Sequence, residues 1–408
     1  MSNLLEEARR YFPQLIAWRR HLHQYPEPSF EERATQAFLF STLSSLPELR
    51  LKTAAQTGLI ADLITNPKGP WIALRADMDA LPIEEKSQHS YRSQNPGYMH
   101  ACGHDAHMAI LLGAIHLLWE QRTHWQGGIR FIFQPGEEKA PGGASLLIQE
   151  GILEEVPIQA IWALHVTPQL PVGTIGLRAG PFMAASDEIY IKLTGKGGHA
   201  AYPHLVGDPI AVGAYLITEL QMVVSRATDP RSPTVLTFGC FHAGTAPNII
   251  PTHADIAGTL RTFDEESRQY LKRLIHTVAC HTAANWGLTA EVKWFSGYPV
   301  LINDRFLTTL THQWASALIG SEKIQEVPLW LSSEDFAFYS QKVPACFIRL
   351  GTAGDSPQTH FPVHTPEFDI SEEALVIGTA LLTHLSLQAL RFLGNPRSTF
   401  ERPSSERE

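Results

Sequence analysis

Residues 100–107 (HACGHDAH) bring one thiol and three imidazole side chains into a single short segment. Only Gly103 separates Cys102 from His104. Thiolate and imidazole favour zinc, and manganese or cobalt are further candidates. Structural zinc sites are usually built from paired ligands such as CxxC, and the chain has neither a CxxC nor an HExxH motif. The segment therefore favours a catalytic metal site, where each ion has about three protein ligands and an open position for water.

Further candidate ligands follow segments that predict β-strands. Catalytic groups of α/β proteins gather beyond the carboxyl ends of strands, so we expect these side chains to meet there. They are Asp77 and Asp79 after WIALR, Glu137 and Glu138 after IRFIFQPG, His165 at the end of AIWALH, and His364 between two prolines in FPVHTPEFD. Five ligands can serve two ions if one ligand bridges them. Cys102 is well placed to do so, although spacing alone leaves this open.

Each signal also has an ordinary structural explanation. A histidine in an apolar strand, such as His165, is typical of a hydrogen-bonded core residue, and paired glutamates after a strand are typical of a solvated turn. Cys102 beside His104 also fits simple packing, or a thiol nucleophile with its base. The thiol mechanism is disfavoured because residues two apart in a loop rarely align for proton transfer.

Four other histidines are interpreted as structural. His21 and His23 in RRHLHQYPE are expected on a charged helix face, and His107 and His116 fall within an apolar helix. None of the four is included in the candidate site.

The composition predicts a globular protein of two or three domains. The chain has 408 residues, of which 44% are hydrophobic and 18% charged. Its net charge of −9 provides no basic surface for nucleic acid or an anionic membrane. The N-terminus lacks a signal-peptide core, the apolar run AILLGAIHLLW is too short to cross a bilayer, and four distant cysteines form no disulfide framework. We therefore expect a cytoplasmic location and neither a nucleic-acid nor a membrane partner.

Strand and helix patterns alternate from residue 14 to about 178, which predicts an α/β layer with a largely parallel sheet. After Gly180 the pattern changes to a period of two, in 186–195 and 255–263, which indicates an antiparallel sheet with one solvated face. Helices near 208–225 and 265–284 would cover the other face. We therefore expect an α/β catalytic domain of residues 1–179 and 297–408, divided by an inserted α+β domain of residues 180–296.

These motifs together resemble one branch of the two-metal amidohydrolase/carboxypeptidase family, the branch of hippurate hydrolase, N-acyl-amino-acid amidohydrolase and auxin-conjugate (indole-acetyl-amino acid) hydrolase. The resemblance covers all of the chain except its polar tail. It rests, in order, on WRRHLHQYPEPSFEE, ALRADMDALPI, MHACGHDAHMAILLGA, FIFQPGEEKAPGGA, ALHVTPQLPVGTIGLRAGPFMAASDEI, GKGGHAAYPH, APNIIP, GTLRTFDEE, SSEDFAFY and VHTPEFD. So many long motifs in one order are highly specific.

The resemblance implies two divalent metal ions per chain, zinc first, with manganese, cobalt or nickel as alternatives. Cys102 would bridge the ions, with His104 and His165 on one and Glu138 and His364 on the other. Glu137 would be the general base for a water molecule that the metals activate. Asp79 would orient a ligand imidazole or this water, and His104 would fill the place that a histidine at position 77 takes in other branches.

The inserted domain would be a lid and a dimerisation domain, giving a homodimer or a tetramer. The resemblance implies that His199 stabilises the oxyanion, in its own or a partner subunit's site, and that Asn248 and Arg261 face the substrate. Considered alone, His199 fits a turn, Asn248 a backbone cap and Arg261 a solvated strand position. Trp330 and Leu331 depart from the family pattern before SSEDF and could bind an aromatic acyl group.

The expected activity is hydrolysis of the amide bond of a small N-acyl amino acid. The acyl group and the amino acid stay open, among acetyl, benzoyl and indole-acetyl amides and a diaminopimelate derivative. Alternatives are a metallo-carboxypeptidase or dipeptidase acting on short peptides, and a non-catalytic binding relative.

Overall fold

The structure, a computed structural model, describes residues 4–395 and 398–400. Its contacts divide the chain into two compact units. The first contains the chain up to Gly180, Ile302–Pro328 and the residues from Asp335 onward. The second contains Pro181–Leu301 and Leu329–Glu334.

The helices of the described residues are numbered in chain order. They are α1 (Leu4–Arg10), α2 (Phe12–Gln24), α3 (Arg33–Leu43), α4 (His104–Glu120), α5 (Gly143–Gln149), α6 (Pro209–Ala227), α7 (Glu265–Asn285), α8 (Arg305–Ile319), α9 (Ala337–Ser340) and α10 (Glu373–Leu393).

The strands are numbered in the same way. They are β1 (Leu49–Ala54), β2 (Gly58–Ile64), β3 (Trp71–Asp77), β4 (Gly128–Gln134), β5 (Ile158–Pro171), β6 (Ile175–Leu177), β7 (Gly180–Met183), β8 (Ala185–Thr194), β9 (Gly198–His199), β10 (Thr234–Ala243), β11 (Ile249–Ile250), β12 (His253–Thr262), β13 (Thr289–Ser296), β14 (Leu301–Asn303), β15 (Ile324–Glu326) and β16 (Ala345–Ala353).

The first unit is built on a sheet of eight strands in the order β1-β2-β4-β3-β5-β16-β6-β15. Its central strands β4, β3, β5 and β16 are parallel, and β3 and β4 are buried along their whole length. The pairs β1–β2, β2–β4 and β6–β16 are antiparallel. The sheet is therefore mixed rather than largely parallel, because antiparallel pairs flank the parallel strands at both ends, including the β1–β2 hairpin with its short turn.

Two apolar helices fix the central strands from one side. α4 is buried on almost every face and packs against α10, which is also mostly buried. Burying a leucine or isoleucine side chain contributes roughly 1.5–3 kcal/mol, so helices of this composition are held firmly. His104, the first residue of α4, is therefore attached to one of the most rigid elements of the unit.

The second unit has a four-stranded antiparallel sheet in the order β10-β12-β8-β13. Ile189, Ile191 and Leu193 alternate along β8 and face a core that α6 and α7 complete. Asp208 and Asp264 accept backbone N–H groups at the N-termini of these two helices. The predicted fold class is confirmed: a mixed α/β unit is interrupted by an α+β unit whose antiparallel sheet is covered by two helices.

The segment Leu329–Glu334 belongs to the second unit, whereas the sequence pattern places it with residues 297–408 in the first. Backbone hydrogen bonds are the reason. Trp330 N–H donates to the carbonyl of Phe182 at 3.1 Å, and Ala184 N–H donates to the carbonyl of Trp330 at 3.0 Å. The chain thus returns to the second unit for six residues before it enters α9.

Among the described residues, α6 and α10 are long and apolar enough to cross a membrane, by length and composition alone. Core helices of soluble proteins pass the same test, and α10 is such a buried helix. α6 directs Val212, Leu216 and Leu220 into the core of the second unit. Length and composition are weak indications of a membrane span in both cases.

Candidate metal centre

The parallel strands of the first unit bring the candidate residues to one level. Asp77 ends β3 beside Gln134, the last residue of β4. His165 lies two residues beyond Ala163, which is paired with Arg75 on β3, so it is level with Asp77. Glu137 and Glu138 follow β4 after a turn at Pro135 and Gly136. The register of the neighbouring parallel strands therefore places these candidate side chains together at the carboxyl ends of the strands, as the sequence predicts.

A tight turn explains why a glycine separates the thiol from the imidazole. Gly103 has a φ of +84°, in the left-handed region that side chains disfavour. A Cβ atom there would also lie 2.3 Å from a methyl group of Val166. Only glycine fits on both counts, and the turn directs Cys102 and the start of α4 into the same site.

Hydrogen bonds to backbone carbonyls orient two imidazole rings. Nδ1 of His104 lies 2.7 Å from the carbonyl oxygen of Asp79, and Nδ1 of His165 lies 2.7 Å from that of Val166. Because a carbonyl only accepts, each Nδ1 carries a proton, and Nε2 is the nitrogen that can bind a metal ion in exchange for any proton of its own. Metal-binding histidines are typically held in this way.

The ligand atoms converge at short distances. Cys102 Sγ lies 3.3 Å from Nε2 of His165 and 3.3 Å from Nε2 of His364. Nε2 of His364 lies 3.2 Å from Oε1 of Glu138. A tetrahedral ion with bonds of about 2.0–2.3 Å separates its ligand atoms by about 3.3–3.8 Å. The spacing therefore matches that of ligands around a metal ion.

The residues form two sets that share the thiol. Cys102, His104 and His165 are one set, and Cys102, Glu138 and His364 are the other. Nε2 of His104 and Oε1 of Glu138 are buried atoms without a hydrogen-bond partner. Buried polar atoms rarely stay unsatisfied. The donor types, their spacing and these two atoms fit a pair of divalent cations.

His364 reaches the site through an unusual backbone. Its φ is +65°, and its N–H donates to the carbonyl of Ala101 at 2.8 Å, one residue before Cys102. Non-glycine residues in this region are sparse and concentrate at functional sites. The hydrogen bond ties the His364 loop to the Cys102 turn, although the His364 side chain itself is half exposed.

The electrostatic surroundings of the ligands favour a cation. Burial alone would lower the pKa of His104, but Asp77 and Asp79 raise it to about 10. A position that attracts a proton so strongly also attracts a metal ion in its place. Burial and His107 hold the pKa of His165 well below its ordinary value, so its ring is neutral and able to ligate.

The same surroundings disfavour a thiol nucleophile. Burial and the carboxylates of Glu138 and Glu137 raise the pKa of Cys102 well above its usual range. Catalytic cysteines need the opposite, an electropositive environment that stabilises the thiolate. A bound cation deprotonates a ligating thiol by itself. Cys102 is thus suited to metal binding rather than to attack on a substrate.

Asp79 holds the backbone of both glutamates. Its Oδ1 accepts the N–H of Glu137 and its Oδ2 the N–H of Glu138, each at 3.0 Å. Oδ2 also accepts the hydroxyl of Ser29 at 2.6 Å. The side chain therefore positions the Glu137 turn, and the backbone carbonyl of Asp79 orients His104.

Asp77 is held from two sides. Its Oδ2 accepts Nη1 of the buried Arg75 at 2.7 Å, and its Oδ1 lies 2.6 Å from Nδ1 of His107. Nε2 of His107 accepts the N–H of Val166 at 3.0 Å, so Nδ1 carries the proton. Both nitrogens of His107 are thereby used. His107 links α4 to β5, consistent with its structural interpretation.

Glu137 is buried beside this network. Its Oε1 accepts the N–H of Asp335 at 3.4 Å. The Asp335 carboxylate binds Nη2 of Arg75 at 2.8 Å and the amide of Gln134 at 2.8 Å. None of these three residues is among the candidates that the sequence motifs indicate. A charged residue inside an apolar strand, as in WIALRAD, is the one signal that points to Arg75.

The three other candidates lie in the second unit. β9 pairs with β11 so that Ile249 faces His199, and Ala200 N–H donates to the carbonyl of Asn248 at 3.1 Å. His199 and Asn248 are thus neighbours. Arg261 lies on β12, where its Nη1 donates to Oγ of Ser333 at 3.2 Å.

Comparison with known proteins agrees with this arrangement. The sequence model of peptidase family M20/M25/M40 matches residues 73–388. N-acetyl-L-cysteine deacetylase of Bacillus subtilis (strain 168) is 44% identical over 363 residues, or 89% of this chain and 85% of that protein. N-acyl-L-amino acid amidohydrolase of Geobacillus stearothermophilus is 44% identical over 289 residues, or 71% of this chain and 78% of that protein.

A solved structure extends the likeness to the fold. The Bacillus subtilis YxeP protein, described as a dinuclear metal-binding peptidase of the M20 family, superposes with a TM-score of 0.82 at 36% identity. The match covers 94% of this chain and 99% of that one, so both units have counterparts there.

Replacing Asp79 by asparagine should weaken metal binding. The amide nitrogen of Asp79→Asn cannot accept, so the N–H of Glu137 or of Glu138 loses its partner. Losing such support for metal ligands typically lowers affinity about 10–100-fold. Competition with a chromogenic chelator measures the zinc affinity. Ser29→Ala, which keeps both backbone bonds, is the matched control, and equal affinities of the two variants would contradict the assigned role.

Proposed function

The chain belongs to peptidase family M20/M25/M40, and we propose that the residues around Cys102 hydrolyse the amide bond of N-acyl amino acids. The chain is a metal-dependent amidohydrolase, a hydrolase of linear carbon–nitrogen bonds. The observation that carries the assignment of residues is the sharing of Cys102 by two sets of ligand atoms.

The ligand assignment follows these sets. Cys102 would bridge two divalent ions, His104 and His165 would complete the coordination of one, and Glu138 and His364 that of the other. Thiolate and imidazole favour zinc, and manganese, cobalt or nickel are the alternatives. When bound, two such cations lower the pKa of a water molecule toward about 7 and polarise the amide carbonyl.

Glu137 is the proposed general base. It is adjacent to the ligand Glu138, and the N–H of Asp335 fixes one of its oxygens. Its carboxylate takes the proton from the attacking water and returns it to the leaving amine. Positioned acid–base catalysis of this kind typically contributes about 10²–10⁴-fold to the rate.

His199 is the proposed donor to the developing oxyanion. Its Nδ1 accepts the N–H of Ala201 at 3.1 Å, so the neutral ring carries its proton on Nε2. That proton is available to the carbonyl oxygen of a substrate in its own or a partner subunit's site. Asn248, its neighbour across β9 and β11, would add an amide contact to the substrate.

Arg261 is the proposed anchor for the free carboxylate of the substrate. The described residues offer its partly buried guanidinium no carboxylate partner, and Ser333 is its side-chain contact. Burial lowers the pKa of Arg261, so an anion would stabilise its charge. A guanidinium can bind a carboxylate through two parallel hydrogen bonds. Asp187 and Glu188 lie in the same unit but form no ion pair with it.

The first unit would be the catalytic domain and the second a lid that also forms a homodimer, or part of a tetramer. Lid closure would exclude water and bring the second unit's residues to the substrate. The substrate would be a small N-acyl amino acid with an acetyl, benzoyl or similar acyl group, hydrolysed in the cytoplasm.

Complete removal of metal should abolish hydrolysis of a panel of N-acetyl, N-benzoyl and indole-acetyl amino acids. Zinc, manganese, cobalt or nickel added back should restore it, with activity saturating at about two ions per chain. Turnover of dipeptides alone would favour a dipeptidase, and binding without any turnover a non-catalytic relative. Hydrolysis that survives metal removal but is blocked by iodoacetamide would make Cys102 a nucleophile and overturn the proposal.

Glu137→Gln should lower kcat by about 10²–10⁴-fold, because the amide keeps the shape of the side chain but cannot accept the proton. Its metal content should equal that of the parent. Glu138→Gln is the matched control, and it should lose metal as well as activity. Steady-state kinetics with elemental analysis on the same samples separates the two effects. Full activity of Glu137→Gln would refute the role as base.

Arg261→Ala should raise KM for N-acyl amino acids about tenfold or more, since charged hydrogen bonds of this type contribute about 1.5–3 kcal/mol. For the same substrates with an amidated carboxyl group, KM should change little. Arg226→Ala, on the exposed face of α6, should change neither. Equal effects of Arg261→Ala on free and amidated substrates would show that this residue does not read the carboxylate.

A further inference from the structure

A second cluster of ligand-type side chains lies in the first unit, among residues that the proposed mechanism does not use. It contains His23 near the end of α2, and Glu85 and His89 from the loop that follows β3. Oε1 of Glu85 lies 3.3 Å from Nε2 of His23 and 3.2 Å from Nε2 of His89. These distances match those between the ligand atoms around Cys102.

His23 is fully buried, so the expected position on a charged helix face is wrong. The buried face of α2 includes Leu15, Arg19, Leu22 and His23, at the spacing of one helix side. That face packs against α4, where Asp105 accepts from Nε of Arg19 at 3.0 Å. A buried, hydrogen-bonded polar residue occurs at the same spacing along a helix as an exposed one, so the sequence alone does not distinguish the two positions.

The ring of His23 is oriented like that of a metal ligand. Its Nδ1 lies 2.8 Å from Oδ2 of Asp105, a carboxylate that accepts its proton. Nε2 is thereby directed toward Glu85. A carboxylate behind the imidazole is the usual support of a ligating histidine, because it fixes the tautomer and raises the basicity of the other nitrogen.

Glu85 is a permanent carboxylate at this position. Ser93 N–H donates to its Oε2 at 2.6 Å, and the Ser87 hydroxyl donates to its Oε1. Burial opposes its ionisation, but His23 and these donors hold its pKa at about 2. One oxygen is therefore anchored by the backbone, while the other faces both histidines.

His89 is the member whose contacts are incomplete. Its ring stacks on Tyr91, with centroids 3.8 Å apart and planes 10° from parallel. Both ring nitrogens are shielded from solvent, and neither has a hydrogen-bond partner. Its Nε2 is close to Glu85, but not in hydrogen-bonding geometry. A packed ring with unsatisfied nitrogens is expected where an ion or a water completes the site.

The charge and the access route also suit a cation. Two carboxylates, those of Asp105 and Glu85, flank the buried ring of His23, and its hydrogen bond from Nε2 to Oε1 of Glu85 at 3.3 Å is the contact that a bound cation would replace. Asp369 adds a carboxylate oxygen 4.0 Å from Nε2 of His89. A cleft of about 600 Å³ is lined by His89, Tyr91 and Asp369 and opens to solvent, which gives an ion a way in.

We propose that His23, Glu85 and His89 bind a third divalent cation, of the zinc class, separate from the two-metal centre. Two imidazoles and one carboxylate are an established zinc set, with a water as the fourth ligand. The ion would join the end of α2 and the loop after β3 to α4 through Asp105. Because Asp105 adjoins His104, the ion would stabilise the start of α4 without touching the substrate.

Zinc content after equilibration with micromolar zinc tests the proposal. His89→Ala should carry about one ion fewer per chain than the parent, and should lose the part of the zinc-dependent rise in Tm that this ion contributes. Its activity with N-acyl amino acids should persist. His384→Ala, another half-buried histidine with an unpartnered nitrogen, is the matched control and should keep the full zinc content. Glu85→Gln, which keeps the Ser93 contact, is the second variant if His89→Ala does not fold.

Cobalt substitution separates this ion from the other two. Cobalt at the two-metal centre should give a thiolate charge-transfer band through Cys102, which His89→Ala should leave unchanged while the absorption of thiolate-free cobalt falls. Cys102→Ser should abolish the band yet keep the ion that His89→Ala removes. Equal zinc contents of parent and His89→Ala, or loss of all zinc in Cys102→Ser, would overturn the third site. Neither result would alter the proposed function, which depends on the Cys102 ligands and Glu137.

Discussion

The architecture of the first unit depends on the hydrogen bonds that the buried guanidinium of Arg75 donates. This guanidinium joins Asp77 at the end of β3, Gln134 at the end of β4, and Asp335 from a segment 260 residues away in sequence. A buried charge is tolerated only when it is paired and hydrogen-bonded, and removing a partner costs about 3–5 kcal/mol. The three segments are therefore held in one relative position.

Two partners of Arg75, Asp77 and Asp335, in turn position residues of the candidate site. Oδ1 of Asp77 accepts a hydrogen bond from Nδ1 of His107. The other ring nitrogen of His107 accepts the N–H of Val166, the residue after His165. The N–H of Asp335 meets Glu137, and its carboxylate also accepts the N–H of Ala144 at 3.0 Å at the start of α5. Such hydrogen bonds would hold the candidate ligands in place before a cation binds, which keeps the reorganisation cost of binding low.

The chemistry of the centre could be predicted from the sequence, but the network that positions it could not. The local sequence predicts the strand or turn that carries each of Cys102, Glu138 and His165. The alternation of strands and helices in turn predicts the parallel arrangement of β3, β4 and β5. Asp335 carries no such signal. Its partners are distant in sequence, and a charged residue before α9 looks like any solvated loop residue. The β1–β2 hairpin lies at the edge of the sheet, where β1 is only partly buried, and its short alternation of Leu49 and Leu51 with Arg50 and Lys52 is a weak signal.

The HACGHDAH segment can hold several polar side chains with separate contacts because its second half is the first turn of α4. Successive residues of a helix point about 100° apart, so neighbours in sequence face different structures. His104 faces Cys102 and His165, Asp105 faces Arg19 and His23 on α2, and His107 faces Asp77 on β3. One helical turn thus contributes to three polar networks, and two of them meet at His104, whose Nε2 also lies 3.7 Å from Oδ2 of Asp77. A substitution of Asp105 should therefore act first on the contacts with α2, whereas one of His104 or His107 should affect both the candidate ligands and the contacts of Asp77.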